Sequence, residues 1–160
     1  MVVLTEFFAA VGPLINEHKG TVPHFAGDGI LVFFNDPLPL DDPCGHAARM
    51  ALAIQQVFAP LAAKWSKLGY ELGLGIGVAR GYATLGAVGY EGRFDYSAIG
   101  SVVNLAARLC AEAGGGQVLI DRRAKASIED RFEVEALESL VLKGFDRPVP
   151  AFRLLGPAVA

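Results

Sequence analysis

The sequence predicts an α+β fold, in which a mostly antiparallel sheet is flanked by helices, or a split βαβ arrangement of that class. Two observations carry the prediction. Helical and strand-like stretches interleave along the chain, and several strands follow one another closely enough to form hairpins. The 160 residues suffice for one domain with its own core, and no internal repeat or linker divides them. We therefore expect a single domain over residues 1–160.

The first half of the chain has the pattern helix, hairpin, helix. Apolar residues recur at helical spacing over 4–19. Strand-like runs over 21–26 and 29–34 lie on either side of an Asp-Gly dipeptide, which favours a tight hairpin turn. A loop rich in turn residues over 35–43 then leads to a long helix predicted over 44–68.

The second half begins with a glycine-rich strand over 70–81, for which 82–92 is the predicted hairpin partner. Glycines weaken a strand unless another backbone or a ligand must come close. The glycines of 73–92 therefore indicate close backbone approach, and they favour a homodimer. The later elements are predicted as a strand and turn over 94–100, a helix over 101–113, a strand over 117–121, a helix over 122–130, a strand over 132–137, and a basic turn with a last strand within 140–155.

Composition excludes several classes of function. The net charge of −3 argues against a nucleic-acid partner, which would favour a basic face. No uncharged run reaches the roughly 18 residues of a membrane span, so we expect no membrane segment in this chain. The two cysteines form no CxxC motif, and the three histidines lack zinc-ligand spacing. Free thiols are typical of a cytoplasmic protein.

The helix over 101–113 carries the most informative pattern. Its polar residues, Ser101, Asn104, Arg108 and Glu112, follow at steps of three, four and four, so they share one face of a helix that is otherwise apolar or alanine. Such a helix is expected to be buried. The stripe then faces either solvent, with an Arg108–Glu112 pair, or a ligand site. In a ligand site the amide suits a sugar hydroxyl and the guanidinium suits a phosphate.

Two further polar residues stand at turns. Asp28 lies between two glycines in "HFAGDGILVFF", and Lys143 precedes a glycine in "LVLKGFDRP". The sequence contains no phosphate-binding GxxxxGK[ST] loop, and "LGLGIGVARG" does not fit GxGxxG. Taken with the helix stripe, these residues suggest phosphates and a divalent metal.

Four stretches resemble the catalytic domain of class III nucleotide cyclases, in order and spacing: "GTVPHFAGDGILVFF", "GIGVARGYATLGAVG", "FDYSAIGSVVNLAARL" and "LVLKGF". The similarity covers residues from about 4 to 154 and is strongest to bacterial adenylate cyclases. It implies a ferredoxin-like α+β core and head-to-tail pairing of two domains, with active sites in the cleft between them. It also implies a phosphorus–oxygen lyase of intracellular signalling that converts ATP to 3′,5′-cyclic AMP and pyrophosphate.

The resemblance assigns roles to four residues that carry the chemistry. Asp28 matches the second of two aspartates that hold Mg²⁺ or Mn²⁺, which gathers charge on the phosphates and activates the 3′-hydroxyl. Asn104 matches the residue that orients the ribose, and Arg108 the one that stabilises charge on the phosphate. Lys143 matches the lysine that holds the triphosphate tail.

Two positions match those that contact the base. Ser97 stands where adenylate cyclases often carry Thr or Asp, and His24 stands where they normally carry Lys. Histidine is shorter and donates a hydrogen bond only in the right tautomer or charge state. Guanylate cyclases would carry Glu at this second position. We therefore expect ATP to be preferred over GTP by a smaller margin than a lysine would produce.

The family begins with a strand and loop carrying the first metal aspartate, in a pattern like "FADIRGFT", and this sequence has no such stretch. Either a partner supplies the missing strand, the chain is a fragment of a longer parent with regulatory domains, or its start is assigned too late. With one metal aspartate, we expect residues 1–160 to bind Mg²⁺- or Mn²⁺-nucleotide weakly and to turn over little. The alternative function is a catalytically impaired cyclase-homology domain that binds nucleotide or dimerises for regulation.

Overall fold

The computed structural model describes residues 2–22, 25–26, 29–36, 39–90 and 93–158. Within them the chain forms four helices, a four-stranded sheet and two separate hairpins, so the predicted α+β class is confirmed. The elements in chain order are α1 (Val2–Glu17), β1 (Phe25–Ala26), β2 (Gly29–Ile30), α2 (Pro43–Ser66), β3 (Ile76–Val78), β4 (Thr84–Tyr90), β5 (Arg93–Ile99), α3 (Ser101–Glu112), β6 (Val118–Asp121), α4 (Arg122–Ile128), β7 (Phe132–Ala136) and β8 (Ala151–Pro157).

The four-stranded sheet has the strand order β3-β6-β8-β7. β6 pairs in parallel with β3 and antiparallel with β8, and β7 completes the sheet antiparallel to β8. The hairpins β1–β2 and β4–β5 are also antiparallel, so pairing is mostly antiparallel as predicted. All four residues of β6 are buried, as expected of a strand with helices on both of its faces.

Helices cover both faces of this sheet. Val118 and Ile120 of β6 belong to a core that includes residues of α2 and α4, whereas Leu119 packs with Leu109 of α3 on the opposite face. α1 lies against α2, where the rings of Phe7 and Phe58 meet edge to face at 6.0 Å between centroids. Among the described residues no helix is both long enough and apolar enough to cross a membrane.

The predicted hairpin between 70–81 and 82–92 is wrong. β3 is only three residues long and pairs with β6, while β4 takes β5 as its partner. Contacts at the end of β3 explain the difference. The backbone N–H of Arg80 donates to Asp121 Oδ1 at 3.2 Å, and its guanidinium donates to the Ser127 hydroxyl. These bonds tie the chain to the end of β6 and to α4, so it does not turn back along β3.

An aspartate caps the start of α2. Asp42 is the N-cap residue and accepts a hydrogen bond from the backbone N–H of Gly45 at 3.1 Å. Arg131, beyond α4, forms an ion pair with the same carboxylate and donates to the Ser127 carbonyl at 2.8 Å. The hydrogen bond from Arg131 lowers the pKa of Asp42. The contact therefore joins α2 to α4 at one end of the core.

Candidate active site

α3 presents one open face. Ser101, Asn104 and Arg108 are exposed, whereas the neighbouring Leu109 is fully buried. The prediction that this helix is buried round most of its circumference is wrong for the single chain, because Leu109 alone among its residues is buried. The physical reason is that the sheet covers one side of α3, and none of the described residues covers the other.

Asn104 and Arg108 lie one helical turn apart on this open face. Within the described part of the chain, no carboxylate comes within ion-pair distance of Arg108, so the alternative Arg108–Glu112 pair does not form. Both side chains are therefore available to a ligand or to a second protein chain. An amide and a guanidinium in this arrangement can contact a hydroxyl and a phosphate of the same molecule.

Glycines allow α3 to pack closely against β3 and the residue before it. A side chain at Gly77 would collide with the Ala106 carbonyl and the Cys110 backbone nitrogen of α3. A side chain at Gly75 would come within 2.8 Å of the Ala113 carbonyl oxygen. Glycines at alternate positions were the signal in the sequence for this close packing. The backbone that packs against them belongs to the same chain. These glycines therefore give no support to pairing between two copies.

Lys143 lies on a tight turn that is anchored to the core under α3. Backbone hydrogen bonds of 2.8 and 2.7 Å join Leu140 to Val149, and Gly144 takes a positive φ of 91° that closes the turn. Leu142 is buried, while Lys143 is exposed. Leu140 packs against the same cluster as Leu105 and Leu109 of α3. The turn and the helix thus share one hydrophobic support.

The remaining predicted residues are Ser97, His24 and Asp28. Ser97 stands in β5 opposite Gly86, and β5 leads through Gly100 directly into α3. The side chain of Ser97 lies outside the part of the structure that is described, as do His24 and Asp28 altogether. The roles assigned to these three residues remain predictions.

A metal site does not assemble among the described residues, in which no three His, Cys, Asp or Glu side chains converge. Asp36 is one further candidate for a metal-ligating carboxylate. Its carbonyl accepts a hydrogen bond from the Thr21 hydroxyl at 2.8 Å, beside the bridge between Thr21 and Phe33 at the open end of the first hairpin. Asp95, a second candidate, lies in β5 opposite Val88. The proposal of a divalent metal therefore rests on Asp28.

A buried polar cluster at the ends of β3 and β6 has a structural explanation. Asp121 caps α4 by accepting from the Ala124 N–H at 2.9 Å, and it also accepts the backbone N–H of Arg80. Burial raises the pKa of the Asp121 carboxyl and of the nearby Cys44 thiol. The capping aspartate directly before a helix was a visible signal in the sequence. The cluster fixes α4 and forms no part of the α3 surface.

Comparison with known proteins defines the class. The family model described as "Adenylate and Guanylate cyclase catalytic domain" matches residues 1–155. The chain belongs to this family, as the motif resemblance predicted. An uncharacterised protein of Mycobacterium tuberculosis is 35% identical over 150 residues, which make up 91% of this chain and 26% of that protein. The chain spans about a quarter of the length of the curated relatives it matches.

Solved structures of cyclases share the fold closely. The adenylyl cyclase CyaB of P. aeruginosa superposes with a TM-score of 0.89 at 29% identity, covering 96% of this chain and 80% of that one. The guanylyl cyclase Cya2 superposes with a TM-score of 0.90 at 30% identity, covering 98% and 80% of the two chains. This chain therefore has the architecture of a class III nucleotide cyclase catalytic domain, and it is similar to both an adenylyl and a guanylyl cyclase.

Proposed function

We propose that this domain converts ATP to 3′,5′-cyclic AMP and pyrophosphate in the cytoplasm. The observation that carries the proposal is the open face of α3, on which Asn104 and Arg108 stand exposed and one turn apart. The similarity to CyaB and Cya2 supports cyclisation of a purine nucleotide. The choice of ATP over GTP rests on His24 and Ser97, which supply hydrogen-bonding groups without the glutamate that guanine would favour.

Each proposed role follows from the chemistry of its side chain. In the reaction, the ribose 3′-oxygen forms a bond to the α-phosphorus, the bond from that phosphorus to the oxygen it shares with the β-phosphate breaks, and the hydroxyl proton passes to water. The Asn104 amide would hold the ribose so that the attack is in line. The Arg108 guanidinium would stabilise the charge that grows on the α-phosphate, and Lys143 would bind the departing pyrophosphate.

The proposed metal site is at Asp28, where Mg²⁺ or Mn²⁺ would neutralise charge on the phosphates. The second candidate function is a domain that binds nucleotide or dimerises for regulation without efficient turnover, and His24 favours it because it stands where the resemblance expects a lysine. Both candidates use Arg108 and Lys143 as cationic contacts to phosphate. They differ in whether cyclic nucleotide is formed.

We also propose that the working form is a homodimer, in which Asp28 of one copy shares a site with Asn104 and Arg108 of the other. The support for pairing is the side of α3 that the sheet leaves open, where Ala107 and Ala111 are exposed beside Arg108. Other domains of a longer chain would then regulate the pair, in keeping with relatives about four times as long.

The test measures nucleotide binding and product formation side by side. Purified protein is titrated with Mn²⁺-ATP and Mn²⁺-GTP, and cyclic AMP and cyclic GMP are quantified after incubation. Arg108→Ala is compared with Arg122→Ala, since Arg122 is an exposed arginine of α4 on the opposite face of the sheet. We expect binding and any turnover to fall with Arg108→Ala alone.

Product from the unmodified chain supports cyclisation, whereas binding without product supports the regulatory alternative. Absence of both binding and product, or equal losses in the two arginine variants, would contradict a nucleotide site on α3.

A further inference from the structure

Three glycines at alternate positions line the backbone beneath α3 and the loop that follows it. A Cβ at Gly77 would overlap the Ala106 carbonyl oxygen and the Cys110 nitrogen, and it would lie 3.0 Å from the Cys110 Cα. At Gly75 the closest atoms would be the Ala113 carbonyl oxygen at 2.8 Å and the Cys110 carbonyl oxygen at 3.0 Å. At Gly73 it would be the Gly115 Cα at 3.0 Å.

These contacts involve mainly the backbone of α3, which distinguishes them from ordinary side-chain packing. A crowded side chain can rotate away, but a crowded helix backbone can only move as a body or distort. Ordinary contact of a Cβ begins near 3.4 Å. A methyl group would therefore displace α3 by several tenths of an ångström at Gly75 and by about 1 Å at Gly77.

The part of α3 that would be displaced contains two residues of the candidate site. Arg108 is positioned between Ala106 and Cys110, the two residues that touch Gly77, and its side chain leaves the opposite side of the same turn. Asn104 lies one turn earlier. A shift of the helix away from β3 would move both side chains relative to the sheet.

We propose that Gly75 and Gly77 are positioning residues for the nucleotide site. Their lack of a side chain sets the distance between α3 and the sheet, and this distance fixes the positions of Asn104 and Arg108. The inference rests on the proposed function, in which α3 contacts the nucleotide. A misplacement of about 1 Å can cost up to roughly a hundredfold in a reaction that depends on orientation. The nucleotide contacts made through α3 should be sensitive to the same displacement.

The experiment uses Gly75→Ala and Gly77→Ala in the full chain, with Gly156→Ala as the matched control. Gly156 lies in a strand, as Gly77 does, but a Cβ there would meet nothing within 4 Å. Each substitution is made with Arg108 present and with Arg108→Ala, and Mn²⁺-ATP affinity is measured at a temperature where circular dichroism shows the folded state. Gly75→Ala is the milder change and provides the test if Gly77→Ala does not fold.

A second readout follows α3 without any nucleotide. Cys110 is exposed and its Sγ donates to the Gly75 carbonyl at 3.3 Å, whereas Cys44 is buried. The rate at which an aromatic disulfide reagent labels the Cys110 thiol in the native protein therefore reports how closely α3 packs against the segment that contains Gly75. We expect faster labelling in Gly75→Ala and Gly77→Ala and an unchanged rate in Gly156→Ala.

The expected binding result is a loss of affinity of about tenfold in Gly77→Ala and a smaller loss in Gly75→Ala. Each loss should become smaller when Arg108 is already absent, because effects that act through a shared contact are not additive, and the part that remains reports the displacement of Asn104. Unchanged affinity in folded glycine variants, or a loss that persists in full without Arg108, overturns the inference and leaves the proposed function standing. Failure of the unmodified chain to bind Mn²⁺-nucleotide overturns the proposed function and, with it, this inference.

Discussion

Two neighbouring residues of α3 should respond to truncation in opposite ways. Leu109 is fully buried and packs with Leu119 and Ala151 beneath the helix. Truncating a buried leucine to alanine typically costs about 2–5 kcal/mol in the free energy of unfolding, since the cavity refills only in part. For a domain of this size, Leu109→Ala should lower the melting temperature by about 6–15 °C.

Arg108→Ala should leave stability almost unchanged, within about 0.5 kcal/mol, because its exposed side chain forms no ion pair with a described carboxylate. Its effect should fall on the ligand instead. A charge-assisted hydrogen bond to phosphate contributes about 1.5–3 kcal/mol, so Mn²⁺-ATP affinity should fall about ten- to a hundredfold.

The assay pairs urea unfolding with nucleotide titration on the same samples. The fluorescence of Trp65, which is 1% exposed, reports unfolding, and circular dichroism provides an independent probe of the same transition. The reasoning is refuted if Arg108→Ala destabilises the fold as much as Leu109→Ala does, or if it leaves nucleotide affinity at the value of the unmodified protein.

Three further outcomes are expected. His24→Lys should raise the ratio of ATP to GTP in kcat/KM about tenfold, measured by competing the two nucleotides, and an unchanged ratio would remove His24 from the base site. If the unmodified chain is active, mixing Asp28→Ala with Arg108→Ala should restore part of the activity that each variant lacks; no recovery on mixing would contradict a shared site. Asp42→Asn keeps a helix cap but loses the ion pair with Arg131. It should cost about 0.2–1 kcal/mol at pH 7 in urea unfolding. The fold lowers the pKa of Asp42, so the stabilisation from the ion pair is complete above the unfolded pKa near 3.9. It should disappear as the pH falls through the lower pKa of the folded state. If the difference in unfolding free energy between Asp42→Asn and the unmodified protein did not change with pH, the ion pair would be excluded as its cause.

Local patterns in the sequence determined most of the helices. The helix predicted over 44–68 is α2, Pro43–Ser66, and the helix predicted over 101–113 is α3, Ser101–Glu112. Both agree to within two residues because helical periodicity and the residues that begin and end a helix act over only a few positions. The α+β class followed from the same interleaving of elements.

Motifs in order along the chain also determined the family, since four separated stretches matched at the correct spacing. They identified Asn104 and Arg108 on one helix face, where the structure places both exposed. They could not show how the helix is supported. The support comes from Gly75 and Gly77, which are distant in sequence from the backbone atoms of α3 that pack against them.

Strand partners and the open face of α3 were decided only by tertiary structure. Pairing of β3 with β6 depends on hydrogen bonds between residues about 40 positions apart, and the anchoring of Arg80 to Asp121 prevented the local hairpin that adjacency had favoured. An apolar helix pattern predicts burial but does not reveal whether the cover comes from the same chain. One side of α3 packs against the sheet, and on the other side Arg108 is exposed. Whether a helix face is buried depends on which other elements of the fold pack against it.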